Sequence, residues 1–229
     1  MEIIGAALAD PSRSRMLCEL MDGRAYTNKE LACAAEITAQ TASAHLKQLQ
    51  QAGMTVSLRS GRHVYHRLAN EQVAVVLESI ASLSPVDHLQ RLRGSKAKNA
   101  LVARCCYNHL AGKLGVLLKS SLIRLDVLRI TDTETLVLSP GGLDRLRSSG
   151  LAIPDPFPRG RPVAKPCLDW TERKHHISGP LATTLLNAFL EMNWLQREPG
   201  SRALALTKQG YSGFESVFGI KPSDIRLDH

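Results

Sequence analysis

The feature that most constrains this chain is the order of signals in residues 10–68: two capped helices, a tight turn, an exposed helix and a basic hairpin. Asp10-Pro11-Ser12-Arg13 opens the first helix. Asp accepts hydrogen bonds from the unpaired N–H groups of a first turn, and Pro at the first helical position already has a helical φ. Met16, Leu17, Leu20 and Met21 form its apolar stripe, and Asp22-Gly23 ends it. Thr27-Asn28-Lys29-Glu30 is a capping box, which predicts a short alanine-rich helix from Lys29 to about Glu36. Ile37-Thr38 makes the turn, with Thr38 as cap, and a further helix is predicted from Ala39 to about Gln51.

This last helix has two unlike faces. Ala42, Leu46 and Leu49 can pack inward, while Gln40, Thr41, Ser43 and Lys47 turn hydrogen-bonding groups outward. In a helix-turn-helix the second helix lies in the major groove, and the groups at its N-terminal half meet bases and phosphates. His45 reads as a packing or backbone-phosphate residue. Residues Met54 to Leu68 then alternate as a strand pair, turning at Ser60-Gly61, with Arg59, Arg62, His63 and Arg67 flanking the tip. Such a wing can reach phosphates or the minor groove, through Arg59, Arg62 and Arg67. His63 and His66 read as solvated. The implied partner is double-stranded DNA.

The runs Leu8–Leu20 and Asn28–Leu68 resemble the ArsR family of bacterial winged-helix repressors, over roughly residues 5–70. The resemblance implies a homodimer paired through its terminal helices. It also implies release of DNA when a metal or another effector binds. Two positions depart from the family pattern. Ala44 stands where Arg is common before His45-Leu46-Lys47, and Ala32-Cys33-Ala34 replaces the Cys-x-Cys that metal-sensing members often carry in the third helix.

At 229 residues the chain has room for two modest domains, and 4% aromatic content makes their cores largely aliphatic. A net charge of +8 suits a polyanionic partner. The sequence shows no cleavable signal and no apolar run of membrane-spanning length, so a cytoplasmic protein without a membrane partner is expected. Five cysteines in such a chain read as thiols or ligands, not as a disulfide framework.

Residues Glu71 to Leu83 carry a helical stripe of Val73, Val76, Leu77, Ile80 and Leu83, placed where the family pairs two copies. Ser84-Pro85 stops it, and Arg93 to Asn99 reads as a linker or loop. The remaining chain repeats itself. His109-Leu110-Ala111-Gly112 and His176-Ile177-Ser178-Gly179 each open a predicted helix, the first reaching Leu125 and the second Met192. Each is followed by an apolar pair, a candidate hairpin and a short helix entered through Gly142 or Gly210. The offset is 67 residues at the histidines and 68 at these glycines. Between the halves, Pro154 to Pro166 holds five prolines with Arg159, Arg161 and Lys165, and reads as an extended connection.

Unusual residues gather where each half begins. Arg104-Cys105-Cys106-Tyr107-Asn108-His109 opens the first, and Pro166 to His176 opens the second. Both resemble a signature of long ArsR-like regulators, with Asn108 standing where Asp is usual. Several readings of Cys106, Tyr107, His109, Cys167, Asp169, Trp170, His175 and His176 remain open. The i,i+3 spacing places Cys106 and His109 on one helical face, and Cys167 with His175 or His176 completes a set for zinc or another thiophilic metal. Alternatively, Tyr107 and Trp170 wall a pocket for a small organic molecule, with Arg104, Asp169 or His176 as anchors. A thiol switch answering an oxidant would pair Cys106 with Cys167, Arg104 favouring the thiolate. The same residues can also simply brace the halves.

The sequence thus predicts a mainly α fold with small β-hairpins. Residues 1–98 form a winged helix-turn-helix and dimerisation domain. Residues 99–229 form an effector domain of two helix–hairpin–helix halves, about 104–152 and 167–229. The expected function is that of an effector-responsive repressor reading an inverted repeat as a homodimer, and not an enzyme. The alternative is an enzyme or ligand-binding protein whose active site lies in the second domain, with the winged helix for docking. Cys-His-Asp combinations allow nucleophilic chemistry, but no glycine-rich phosphate loop or established catalytic motif accompanies them.

Overall fold

A computed structural model of the chain describes residues 2–83, 95–131, 135–157, 162–198 and 201–227. The first part runs α1 (Glu2–Leu8), α2 (Pro11–Leu20), β1 (Tyr26–Thr27), α3 (Asn28–Ala35), α4 (Ala39–Gln51), β2 (Thr55–Ser60), β3 (His63–Leu68) and α5 (Glu71–Ala81). The caps expected from sequence are formed. Asp10 accepts from the N–H groups of Ser12 and Arg13 at 2.9 and 3.0 Å. The Thr27/Glu30 box closes α3, and Thr38 accepts from the Thr41 N–H at 3.1 Å. Strands order as β1-β3-β2, so Tyr26-Thr27 adds an edge to the wing. The core beneath is aliphatic: Met16, Leu17, Leu20, Leu31, Leu46, Leu49 and Leu68 are all almost fully buried. α1 and β1 carried no clear sequence signal.

Ser84-Pro85, Arg93 and Gly94 lie outside the described residues. The loop expected through Asn99 is instead helix α6 (Ser95–Val102). Its polar start hides its role: the Ala103 N–H donates to the Asn99 carbonyl, and Val102 packs on a second core that runs to Ile225.

That second core joins β4 (Arg104–Cys106), β5 (His109–Ala111), α7 (Lys113–Arg124), β6 (Leu128–Ile130), β7 (Leu136–Leu138) and α8 (Gly142–Ser148). The same order of elements then recurs in β8 (Lys165–Leu168), β9 (His175–Ser178), α9 (Pro180–Glu191), β10 (Leu195–Arg197), β11 (Leu204–Leu206) and α10 (Lys208–Phe218), before α11 (Pro222–Ile225). Each strand pair is a separate antiparallel hairpin.

The helices expected to open at His109 and His176 begin later, because both histidines lie in strands. Gly112 and Gly179 separate strand from helix at φ +83° and +93°, each with ψ −173°. That conformation is essentially restricted to glycine, so the chain changes element there. Asp126 and Asn193 end α7 and α9 in matching left-handed conformations, φ +53° and +55°. Of the connection from Pro154 to Pro166, Arg159 and Arg161 lie outside the described residues, and Lys165 begins β8.

The glycines that open α8 and α10 are there for space. A Cβ on Gly142 would sit 2.6 Å from the Val127 carbonyl oxygen, and one on Gly210 only 2.1 Å from that of Trp194. Gly142→Ala and Gly210→Ala are therefore each expected to cost about 1–3 kcal/mol, read from the denaturant midpoint. Gly5→Ala, where no atom of the described residues would lie within 4 Å of the added Cβ, serves as control and should not destabilise.

Candidate functional site

The α4 face is laid out as its sequence requires. Gln40, Thr41, Ser43 and Lys47 are exposed, while Ala42, Leu46 and Leu49 are buried. Two neighbours hold the exposed hydroxyls: Asn28 Nδ2 donates to Ser43 Oγ at 2.9 Å, and Thr38 Oγ1 lies 2.9 Å from Thr41 Oγ1. His45 is held differently. Its Nδ1 lies 3.2 Å from Arg13 Nη1 and its Nε2 3.6 Å from Asp10, so it fastens α4 to α2. In the wing, Arg59, Arg62 and His63 are exposed and Arg67 is half-buried. His66 is not solvated as expected: it is 8% exposed, since β3 is the middle strand with β1 and β2 on either side.

The second constellation lies inside the C-terminal region. Cys106 pairs with His109 across the β4–β5 hairpin, and Cys167 pairs with His176 across β8–β9. The ligand atoms of these four residues all lie within 4.8 Å of one another. The i,i+3 spacing of Cys106 and His109 thus reflects a two-residue turn, not a helical face. Tyr107 makes that turn at φ +60°. Strand alternation sends Cys105 to the aliphatic core, while Cys106 packs with Ala111 and Cys167 in a small cluster of its own. The two histidines face each other through Nε2 at 3.1 Å. Their Nδ1 atoms point away, one 3.2 Å from Asn108 Oδ1 and the other 3.3 Å from Asp169 Oδ2. The latter contact is within ion-pair distance but off the line of a good hydrogen bond.

Asp169 is fully buried and heavily bonded. Its Oδ1 accepts from Arg104 Nη2 at 2.9 Å, from Thr171 Oγ1 at 2.6 Å, and from the N–H groups of Thr171 and Glu172 at 3.0 and 3.1 Å. Its Oδ2 accepts from the Gly112 N–H at 2.7 Å. Burial opposes ionisation, but Arg104, His176 and Thr171 outweigh it and hold the carboxyl well below the usual carboxylate range. Burial likewise opposes charge on His176, yet Asp169 and Cys106 raise its pKa to about 9. The Cys106 thiol is pushed up to about 12, first by its hydrogen bond with the Cys167 thiol and then by burial. The expectation that Arg104 would favour a Cys106 thiolate therefore fails, because that guanidinium is spent on Asp169 and Glu78.

Of the remaining expected site residues, Trp170 lies half-buried with the Arg104 guanidinium 5.3 Å from its ring centroid. His175 is exposed beside the buried His176, so His176 is the histidine in the cluster. Tyr107 turns away and packs on the winged-helix core, where its N–H donates to the Met21 carbonyl. Sequence reasoning missed Glu78 and Arg202. Glu78, 1% exposed, takes Arg202 Nη1 at 2.8 Å and Arg104 Nη2 at 3.6 Å. Its signal was a carboxylate set between Leu77 and Ile80 in an apolar stripe; Arg202 had none.

A family model described as bacterial regulatory protein, arsR family, matches residues 10–54. YdfF of Bacillus subtilis, an uncharacterized HTH-type transcriptional regulator, is 41% identical over 221 residues, 95% of this chain and 96% of its own. This chain belongs to the ArsR family. It is a DNA-binding transcriptional regulator. The likeness to YdfF runs through the C-terminal region, far beyond the segment that the family model matches. The regulator CmtR of Mycobacterium tuberculosis is 36% identical over 80 residues, 35% of this ArsR-family chain and 67% of its own. Among solved structures, that of the cadmium metal-sensor CmtR covers 38% of the chain and 86% of its own, at 33% identity and TM-score 0.31. A homodimeric winged helix-turn-helix domain from Mycobacterium bovis covers 34% and 72%, at 32% identity and TM-score 0.33.

Arg104 is 1% exposed between two buried carboxylates. Arg104→Met would leave both without their shared cation, and should cost this ArsR-family protein about 3–5 kcal/mol in denaturant unfolding.

Proposed function

We propose that the protein is a homodimeric cytoplasmic repressor whose hold on DNA responds to a thiophilic metal ion. The observation that carries the DNA reading is the exposed polar face of α4, with Gln40, Thr41, Ser43 and Lys47 presented together on a helix capped by Thr38. Gln40 and Thr41 meet base edges, Ser43 meets base edges or phosphates, and Lys47 meets a phosphate. Arg59, Arg62 and Arg67 of the wing reach the backbone beside them, while His45 supports the helix from behind. Two copies pair through the first and last helices of the winged domain. There Ile3, Ile4, Val76, Ile80 and Leu83 are left 40% to 82% exposed. Four large apolar side chains on two terminal helices, with Leu83 just beyond α5, favour burial against a second copy. A two-fold dimer reads half-sites one helical turn apart, or a multiple of it.

The effector reading rests on the gathering of Cys106, His109, Cys167 and His176. Two sulfurs and two imidazole nitrogens suit zinc, cadmium or a similar ion. An organic ligand between Tyr107 and Trp170 is disfavoured because Tyr107 packs on the winged-helix core. A thiol switch is disfavoured by the raised Cys106 thiol. An enzyme with a cysteine nucleophile is disfavoured by the burial of Cys106 and Cys167, since a nucleophile must meet its substrate.

Selection of sites from random duplexes should enrich an inverted repeat; enrichment of single half-sites alone would contradict the dimer. Lys47→Ala should weaken binding to all sequences alike and flatten the salt dependence by about one unit of slope. Gln40→Ala should instead relax discrimination at one base position, by about 1–3 kcal/mol. The pair Val76→Glu and Ile80→Glu should sediment as a monomer and lose most of its affinity for the repeat.

A further inference from the structure

We infer that Cys106, His109, Cys167 and His176 hold one zinc ion in a closed tetrahedral site, and that this ion clamps the two halves of the C-terminal region together. The inference rests on the metal reading above and adds the ion's coordination and its mechanical role.

Each half supplies one cysteine and one histidine from a cross-strand pair in its opening hairpin. An ion among them is bonded equally to both halves. The distances suit zinc. Bonds of about 2.0–2.1 Å to nitrogen and 2.3 Å to sulfur set tetrahedral neighbours about 3.3 Å apart for two nitrogens and about 3.8 Å for two sulfurs. The two Nε2 atoms are 3.1 Å apart, and no pair of ligand atoms exceeds 4.8 Å. Closing the shell needs shifts of about 1 Å, within reach of side-chain rotation.

The hydrogen bonding around the histidines points the same way. Asn108 Oδ1 lies 3.2 Å from the His109 Nδ1, where an acceptor oxygen fixes the ring proton, and Asp169 Oδ2 lies at ion-pair distance, 3.3 Å, from the His176 Nδ1. The two Nε2 atoms then face each other at 3.1 Å in the interior, with one proton between them. A cation that takes the place of that proton bonds to both, with Asp169 in the supporting place that carboxylates take behind metal-bound histidines. Both thiols release their protons to solvent as they ligate, and the charge of the ion offsets the cost that burial places on the thiolates.

Cys106, His109 and His176 are 0% exposed and Cys167 is 4% exposed. Four buried protein ligands leave no place for water or substrate in the shell, the arrangement of a structural site.

The test uses the full purified chain under reducing conditions. Elemental analysis should give about one zinc per chain, and X-ray absorption a shell of two sulfurs and two nitrogens. Stripping the ion with a strong chelator should lower the melting temperature by about 10 °C or more, and adding zinc back should restore it. Cys33→Ser, an exposed thiol away from the cluster, should keep the ion. Cys106→Ser and Cys167→Ser should lose it; should either fail to fold, the chelation experiment on the unaltered chain still decides. Zinc bound with water in its shell, or removed without change in melting, would overturn the clamp and leave the metal reading standing. No uptake of zinc or cadmium at all would overturn both.

Discussion

One buried carboxylate organises the C-terminal half of this regulator. An ionised group cannot be taken out of water unless the fold supplies charges and donors in its place. Asp169 is given both: Arg104 from β4, the Gly112 N–H ahead of α7, and its own loop through Thr171 and Glu172. Two of these partners come from residues 104–112 and the loop from residues 169–172, so these segments must meet for the charge to be tolerated at all. The same carboxylate stands behind His176, so the Cys/His cluster and the ion-pair network are one structure seen from two sides.

That network extends into the DNA-reading domain. Arg104 also faces Glu78, and Glu78 binds Arg202, so α5 is held from inside by charges anchored in the C-terminal core. The outer side of the same helix shows Val76 and Ile80, with Leu83 just past its end. One helix thus carries the anchor to the cluster on one face and the apolar stripe on another. Asp169, Arg104 and Glu78 thus form a continuous run of buried ion pairs from the cluster to α5.

Much of the winged helix was legible because its signals are local. Asp10, Thr27, Thr38 and the alternation of the wing each specify geometry within a few residues, and each was found where expected. His66 was misjudged because a central strand position depends on β1, a two-residue edge with no signal of its own. In the second part the hairpins and helices around the paired motifs could be read, but not the element that holds the histidines. Apolar spacing there fits a helix until Gly112 and Gly179 are recognised as breaks at positive φ. The cluster's membership was visible as residue types and its geometry was not. Cross-strand register and the meeting of residues 58 to 70 positions apart are products of tertiary packing. Glu78 and Arg202 escaped for the same reason: they come together only when the two cores dock.

The C-terminal cluster is proposed to govern how tightly α4 holds DNA. The most direct test is the affinity of the full-length protein for its selected inverted repeat, measured at one salt concentration, with the metal loaded and with it removed. The account predicts a change of about fivefold or more between the two states. Equal affinity, from a protein shown to bind and release the metal, would contradict it.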